Sequence, residues 1–346
     1  MITRVSKFAG LALASAFVAT SPIGAQDLTG AGATFPQPLY SKWFNDYAAK
    51  TGVKINYQPI GSGGGIRQFL DGTVDFGATD APMTDEEMSK LKSPAYHIPT
   101  VLGAVVITYN IPDLAKPLNL TGPVVAQIFL GKITKWNAPE IVSLNPRVTL
   151  PSKDILVVHR SEGSGTTYIF SDYLAAVSPA WAASPGKGKE LQWPVGLGGQ
   201  GNAGVAGQIR QVPGSIGYIE LSYARQNKLP YAALKNAAGT FVLPTIQSVT
   251  EAAAAVAAKL PTTTDFRVSI VNALAKDAYP ISSFTYLLVY ETQPDAAKGK
   301  KLIDFIKWAI HDGEVDAAKL DYAPLPKNVV TLLDKRLTAV KNVAAK

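Results

Sequence analysis

The chain of 346 residues contains no cysteine. That excludes disulfides, thiolate metal sites, thiol nucleophiles and any lipid-modified cysteine. Histidine is almost as scarce. His97, His159 and His311 stand far apart, which argues against a histidine metal cluster, and no metal or other cofactor is expected. Beyond the N-terminal region, no stretch reaches the roughly eighteen uninterrupted apolar residues that read as a membrane span. Basic residues form no stripe interleaved with aromatics, so nucleic acid is not an expected partner. The charge leans basic, with 33 lysines and arginines against 26 acidic residues. Because the basic residues are scattered, they set up a modest positive field that favours small anions. With 47% hydrophobic residues the chain can bury a sizeable core, and its length suits two lobes.

The first 25 residues have the character of an export signal. Arg4 and Lys7 precede an apolar stretch from Phe8 to about Thr20, followed by small residues. Such a segment is too short and too interrupted for a membrane span. Cleavage is expected after Ala25, leaving 31 basic and 26 acidic residues in an exported protein without a lipid anchor.

The remainder alternates between strand and helix periods. Leu39, Trp43 and Tyr47 mark one helical face, ended by Gly52. VKINYQPIG alternates as a strand, and GSGGGIRQFLDG is a glycine turn into a short helix. VDFGATDAPM reads as a strand ending in a polar turn, and VLGAVVITYN (101–110) as a strand buried on both faces. VVAQIFLGKITKWN is expected to be helical, DILVVHR a strand, GTTYIFSDYLAAV a helix and FTYLLVY (284–290) a buried strand. The stretch 184–204 reads as the longest loop, with GLGGQGNAG its most flexible part. This rhythm belongs to α/β layers.

Three turns share one design. TGAGATFP, GSGGGIR and RSEGSGTT each place glycine or a small hydroxyl residue where a strand hands over to a helix. The first amides of a helix lack intrahelical partners and carry the positive end of its dipole. Glycine lets an anion approach that backbone, and Ser and Thr add donors. A single such turn is explained by helix capping alone; three acquire meaning only if the fold unites them. Arg160 adds a bidentate fork for a tetrahedral oxyanion, and Glu162 is placed to hold the arginine's other edge. Catalytic motifs fail. No GxxxxGK followed by Ser or Thr occurs. Glu162-Gly163-Ser164-Gly165-Thr166 misses the GxSxG elbow by one glycine. On a strand His159 would face away from Arg160 and from Ser164.

The chain resembles the periplasmic phosphate-binding proteins of bacterial phosphate ABC transporters, the PstS family. LTGAGATFPQPLYSKW, YQPIGSGGGI, VDFGATDAPM, IFLGKITKWN, RSEGSGTT and WPVGLGGQGN carry the resemblance in the family's order, from about Asp27 to near the C-terminus. It implies a type II two-lobed periplasmic-binding-protein fold. Each lobe would be a mixed sheet flanked by helices, with the ligand in the cleft. One lobe would comprise 26–108 with 285–346 and the other 109–284, hinged near Thr108–Asn110 and Ser283–Tyr286.

The implied phosphate ligands are Thr34, Phe35 through its amide, Ser62, Asp80, Arg160, Ser164, Gly165 and Thr166. Glu162 stands where the family often has aspartate, and Gly63 where a second serine is common. The implied function is phosphate binding in the periplasm and delivery to a membrane permease, by a monomer without enzymatic activity. Asp80 repels any anion unless the ligand has a proton to donate, which separates phosphate and arsenate from sulfate and molybdate. A receptor for another oxyanion, a scavenger that meets no transporter and a secreted phosphatase or esterase using Ser164 are the alternatives.

Overall fold

The computed structural model describes residues 28–342 except 113 and 115; the expected export signal lies outside them. A Gly-rich strand β1 (Leu28–Gly32) leads into helix α1 (Gln37–Thr51). That helix buries Leu39, Tyr40, Trp43, Phe44 and Tyr47 on one face and ends at Gly52 in the left-handed region, φ 75°. Then follow β2 (Ile55–Gln58), α2 (Ser62–Asp71) and β3 (Phe76–Thr79). The buried strand β4 is longer than its apolar run suggests, spanning Ala95–Tyr109. Next come β5 (Leu156–Arg160), α3 (Gly165–Val177), β6 (Leu197–Gly199), α4 (Gly201–Gln211), β7 (Ser215–Glu220) and β8 (Ser282–Tyr290).

These strands form one eight-stranded sheet in the order β2-β1-β3-β8-β4-β7-β5-β6. Strand β4 joins its two halves. Ala95–Ala104 pairs antiparallel with β8, and Val105–Tyr109 pairs antiparallel with β7. The parallel strands β1, β2 and β3 run with β4, whereas β5, β6 and β7 run against it. The carboxyl ends of the two parallel sets therefore face each other across the middle of β4. In open α/β sheets that is where ligands bind, and here two such ends meet.

Two expectations change. The helix expected over VVAQIFLGKITKWN stops at Phe129, because Gly131 takes φ 70° and the chain turns there. The stretch read as the longest loop contains β6 and the start of α4. Its glycines allow close packing rather than flexibility: a Cβ on Gly199 would sit 2.9 Å from the amide nitrogen of Val205.

The three successive glycines of α2 weaken it as a helix, and packing explains them. A Cβ on Gly65 would lie 2.4 Å from Gly32 Cα and 2.8 Å from the Ala78 carbonyl oxygen, all backbone that has no room to yield. Glycine lets α2 settle onto β1 and β3 with its first turn at the strand ends. Gly65→Ala is expected to destabilise the protein by about 3 kcal/mol through overpacking, read as a lowered urea midpoint with an unchanged slope.

Candidate functional site

Each sequence-predicted residue stands at a carboxyl strand end or in the turn that follows it. Thr34 and Phe35 follow β1, Ser62 opens α2, Asp80 follows β3, Arg160 ends β5, and Ser164, Gly165 and Thr166 open α3. The fold brings them together. Gly165 fits so closely against the opposite side that a Cβ on it would lie 2.4 Å from Asp80 Oδ2 and 2.5 Å from Ser62 Oγ. The Gly63 amide donates to the Gly163 carbonyl at 2.8 Å. Ser62, Asp80, Arg160, Ser164 and Thr166 are all at most 3% exposed and Thr34 6%, so an anion held among them is out of bulk water.

The donors are oriented by their neighbours. Ser164 is the N-cap of α3, its Oγ accepting from the Thr167 amide at 3.0 Å, which leaves its own proton to donate. The amides of Phe35, Ser62, Gly165 and Thr166 have no hydrogen-bond partner among the described residues. Arg160 donates through Nη1 to Thr166 Oγ1 at 3.0 Å. Its Nε and Nη2 both meet Glu162 Oε1, the Nε contact at 2.9 Å. Glu162 Oε1 also accepts from the Gly201 amide at 3.1 Å. The carboxylate thus fixes the guanidinium's outer edge and ties it to the start of α4.

Asp80 is the acceptor in this ring of donors. Thr285 Oγ1 donates to its Oδ1 at 2.8 Å, and Ser62 Oγ lies 3.4 Å from its Oδ2. Burial pushes its pKa up to about 7, opposed by the Thr285 hydrogen bond, the charge of Arg160 and the Ser62 hydrogen bond. A cavity of about 460 Å³ reaches Asp80 from the surface, past Met83, Tyr168, Lys187 and Arg267.

The sequence reading missed four residues that complete the site. Asn202 donates through Nδ2 to Thr34 Oγ1 at 2.9 Å and to Thr166 Oγ1 at 3.2 Å, bridging the two sides. Tyr223 OH donates to the Thr34 carbonyl at 2.7 Å. Tyr322 OH lies 2.6 Å from the Phe35 carbonyl and 3.1 Å from Glu220 Oε2. Thr285 is the fourth. The only available signal was for Asn202, in the WPVGLGGQGN motif; Thr285 on a strand, Tyr223 on a short helix (Leu221–Gln226) and Tyr322 in a loop carry no distinguishing pattern.

A further contact crosses from one side to the other. Lys189 Nζ reaches Glu87 Oε1 and Oε2 at 2.6 and 2.7 Å, while the Lys189 carbonyl accepts from the Ser164 amide at 2.9 Å. Glu87 is held in place by a capping box with Thr84.

None of the three histidines makes a hydrogen bond to Ser164. His159 stacks on Trp193 with ring centroids 4.6 Å apart, and its Nδ1 lies 2.9 Å from the Arg160 carbonyl. His97 accepts from the Met83 amide, and burial lowers its pKa to about 4. His311 pairs with Asp334 at 2.9 Å. Among the described residues no group of acids and histidines is arranged to hold a metal, and no helix is long and apolar enough to cross a membrane.

The chain is similar to known proteins in sequence and in fold. The family model for the PBP superfamily domain matches residues 18–312. The phosphate-binding protein PstS of Xylella fastidiosa (strain Temecula1) is 47% identical over 308 residues, 89% of this chain and 84% of its own. PstS of Haemophilus influenzae is 43% identical, covering 89% of this chain and 92% of its own. Among solved structures, a high-affinity periplasmic phosphate-binding protein (PfluDING) bound with phosphate superposes with a TM-score of 0.70 at 22% identity, over 90% of this chain and 92% of that one. A phosphate-bound substrate-binding protein from Clostridium perfringens gives 0.64 at 18% identity, over 87% of this chain and all of that one. These two share the two-lobed mixed α/β fold. With relatives this similar over nearly nine-tenths of its length, the chain belongs to the PstS family of phosphate-binding proteins within the PBP superfamily.

Proposed function

We propose that this protein binds inorganic phosphate in the periplasm and hands it to the permease of a phosphate ABC transporter. The observation that carries this reading is the pairing of many neutral donors and one arginine with a single buried acceptor, Asp80. Phosphate at neutral pH has both the oxygens for the donors and a proton for the carboxylate. Sulfate has no proton, so while Asp80 is ionised it would meet a repelling carboxylate and leave a buried acceptor unpaired, a combination that supports discrimination of about 10⁴-fold. The names of the curated relatives and the phosphate bound in the solved neighbours support the same ligand.

Thr34, the Phe35 amide, Ser62, Asp80, Arg160, Ser164, Gly165 and Thr166 are the proposed ligands, with Glu162 behind Arg160. One lobe is 26–108 with 285–346 and the other 109–284. The proposed hinge is the pair of crossings near Thr108–Asn110 and Ser283–Tyr286, close to the point at Ala104–Val105 where β4 exchanges β8 for β7. Hinge closure buries the ligand, and the Glu87–Lys189 pair latches the closed form. Residues 1–25 act as the export signal, and the mature protein works as a monomer.

Calorimetric titration of anion-stripped protein is expected to give tight one-to-one phosphate binding and no heat with sulfate; binding of both in equal measure would overturn the role given to Asp80. Arg160→Ala should weaken phosphate by on the order of 100-fold or more, since it removes the guanidinium and strands the Glu162 carboxylate; a change within a few-fold would remove Arg160 from the ligand set. Glu87→Gln should speed phosphate release by about five-fold in stopped-flow displacement with little change in the association rate. An unaltered release rate would show that the latch contributes nothing.

A further inference from the structure

Thr285 lies on β8, fully buried, at the point where the register with β4 shifts between Thr285 and Tyr286. Such irregularities re-aim side chains. Beside it, Tyr286 is the partner of Thr79, the residue before Asp80. The Thr285 hydroxyl donates to Asp80 Oδ1 at 2.8 Å. The other oxygen, Oδ2, is the one that approaches Gly165 and Ser62. Thr285 is itself held from behind. Its carbonyl lies 3.4 Å from Thr100 Oγ1, which lies 2.7 Å from the hydroxyl of Tyr40 on α1.

We propose that Thr285 is a specificity-determining positioning residue. By donating to Oδ1, it keeps the Asp80 carboxylate ionised and presents the single acceptor Oδ2 to the anion. The inference rests on Asp80 being a ligand, as proposed above. Its physical core is that a carboxyl group filters protonated from unprotonated oxyanions only while it is ionised. Once protonated it becomes a donor, and a sulfate oxygen accepts from it as readily as a phosphate oxygen does.

The surroundings make this a close balance. Burial pushes Asp80 up to about 7, and the Thr285 hydrogen bond is the largest of the influences that oppose it, ahead of Arg160 and Ser62. The other titratable groups that feel its charge are Tyr40 on α1, Tyr57 on β2, Tyr286 on β8, and Tyr223 and Tyr322. Burial holds each of these tyrosines above its ordinary pKa, so each remains neutral while Asp80 titrates. Arg160 alone of these groups faces Asp80 with a charge. The sign follows. As pH falls through the pKa of Asp80, the filter gains a proton and sulfate gains a partner. Loss of the Thr285 hydroxyl raises that pKa, so sulfate becomes a ligand at a higher pH.

The test is sulfate binding by full-length mature protein, followed by displacement of a fluorescent reporter between about pH 5 and 9, for wild type, Thr285→Val, Thr285→Ser and Asp80→Asn. Sulfate stays unprotonated over this range, so the midpoint reports the protein. Thr285→Val preserves the side-chain shape. It should move the midpoint of sulfate binding upward by about one pH unit and, at about pH 9 where both forms lie above their midpoints, lower phosphate-over-sulfate selectivity by about tenfold. Thr285→Ser should restore wild-type behaviour, and it tests the proposal by itself if the valine variant does not fold: a serine midpoint shifted like that expected for valine would overturn the hydroxyl's role. Asp80→Asn should lose the selectivity and the pH dependence together. If Asp80→Asn retains full selectivity, the reading of Asp80 as a ligand fails. If Asp80→Asn loses it while Thr285→Val keeps the wild-type midpoint and selectivity, only the role of Thr285 is overturned. Equal weakening of both anions with an unmoved midpoint would mark Thr285 as merely structural and would also overturn it.

Discussion

A carboxylate at the bottom of a dry cleft constrains the rest of the molecule. Water stabilises an ionised Asp80, and closing the two halves over it removes that water. Burial raises the group from about 3.8 to about 7. A buried Asp80 therefore binds its proton more readily than a hydrated one, and keeping it buried costs more as pH rises across that interval. A ligand that donates a proton to Asp80 replaces the lost water, whereas an unprotonated anion does not. On the proposed function, the residue that selects the anion also resists burial beneath a wrongly chosen one, and the Glu87–Lys189 pair, which joins the two sides, acts against that resistance.

The backbone architecture makes such a cleft available. Strand β4 is shared by both halves of the sheet and exchanges partners at its middle. Since the parallel strands on its two sides run in opposite directions, two sets of carboxyl ends and two sets of helix N-termini point into one gap. Glycines 61 and 63 on one side and 163 and 165 on the other allow these turns to approach almost to backbone contact. A side chain at Gly165 would collide with Asp80 and Ser62, so the approach that excludes water depends on its absence.

Much of this was legible in the sequence because it is local. A helix N-terminus, its capping Ser164 and the arginine four residues before it lie in one short segment, and each strand–glycine–helix unit announces itself by period and turn chemistry. The contacts that orient the ligand set are long-range. Asn202 meets Thr34 across 168 positions, Thr285 meets Asp80 across 205, and Tyr322 meets Phe35 across 287. Nothing in the periodicity of β8 distinguishes Thr285 from other strand residues, since its role comes from a register shift that only pairing creates. The stretch 184–204 was misread for a related reason. Glycine is a local sign of freedom, but Gly199 and Gly204 are there to let β6 and α4 pack backbone to backbone.

On the proposed function, the charges inside the site argue that directed donors, rather than net charge, would hold the anion. Arg160 is matched by Glu162 and Lys189 by Glu87, while Asp80 adds a negative charge. The sum facing the anion is thus negative. Attraction must come from amides, hydroxyls and one guanidinium edge oriented in a low-dielectric space, where each charge-assisted hydrogen bond is stronger than in water. Glu162 illustrates the trade. Its Oε1 takes the Nε and Nη2 edge of Arg160 and also the Gly201 amide, so the arginine loses part of its charge to a neighbour and gains a fixed direction. The reach that lets this carboxylate also hold α4 places Asn202, the next residue, against Thr34 and Thr166. Under the proposed hinge motion, parting the halves would carry Arg160, Ser164 and Thr166 away from Thr34, Ser62 and Asp80, and the ring of donors would come apart.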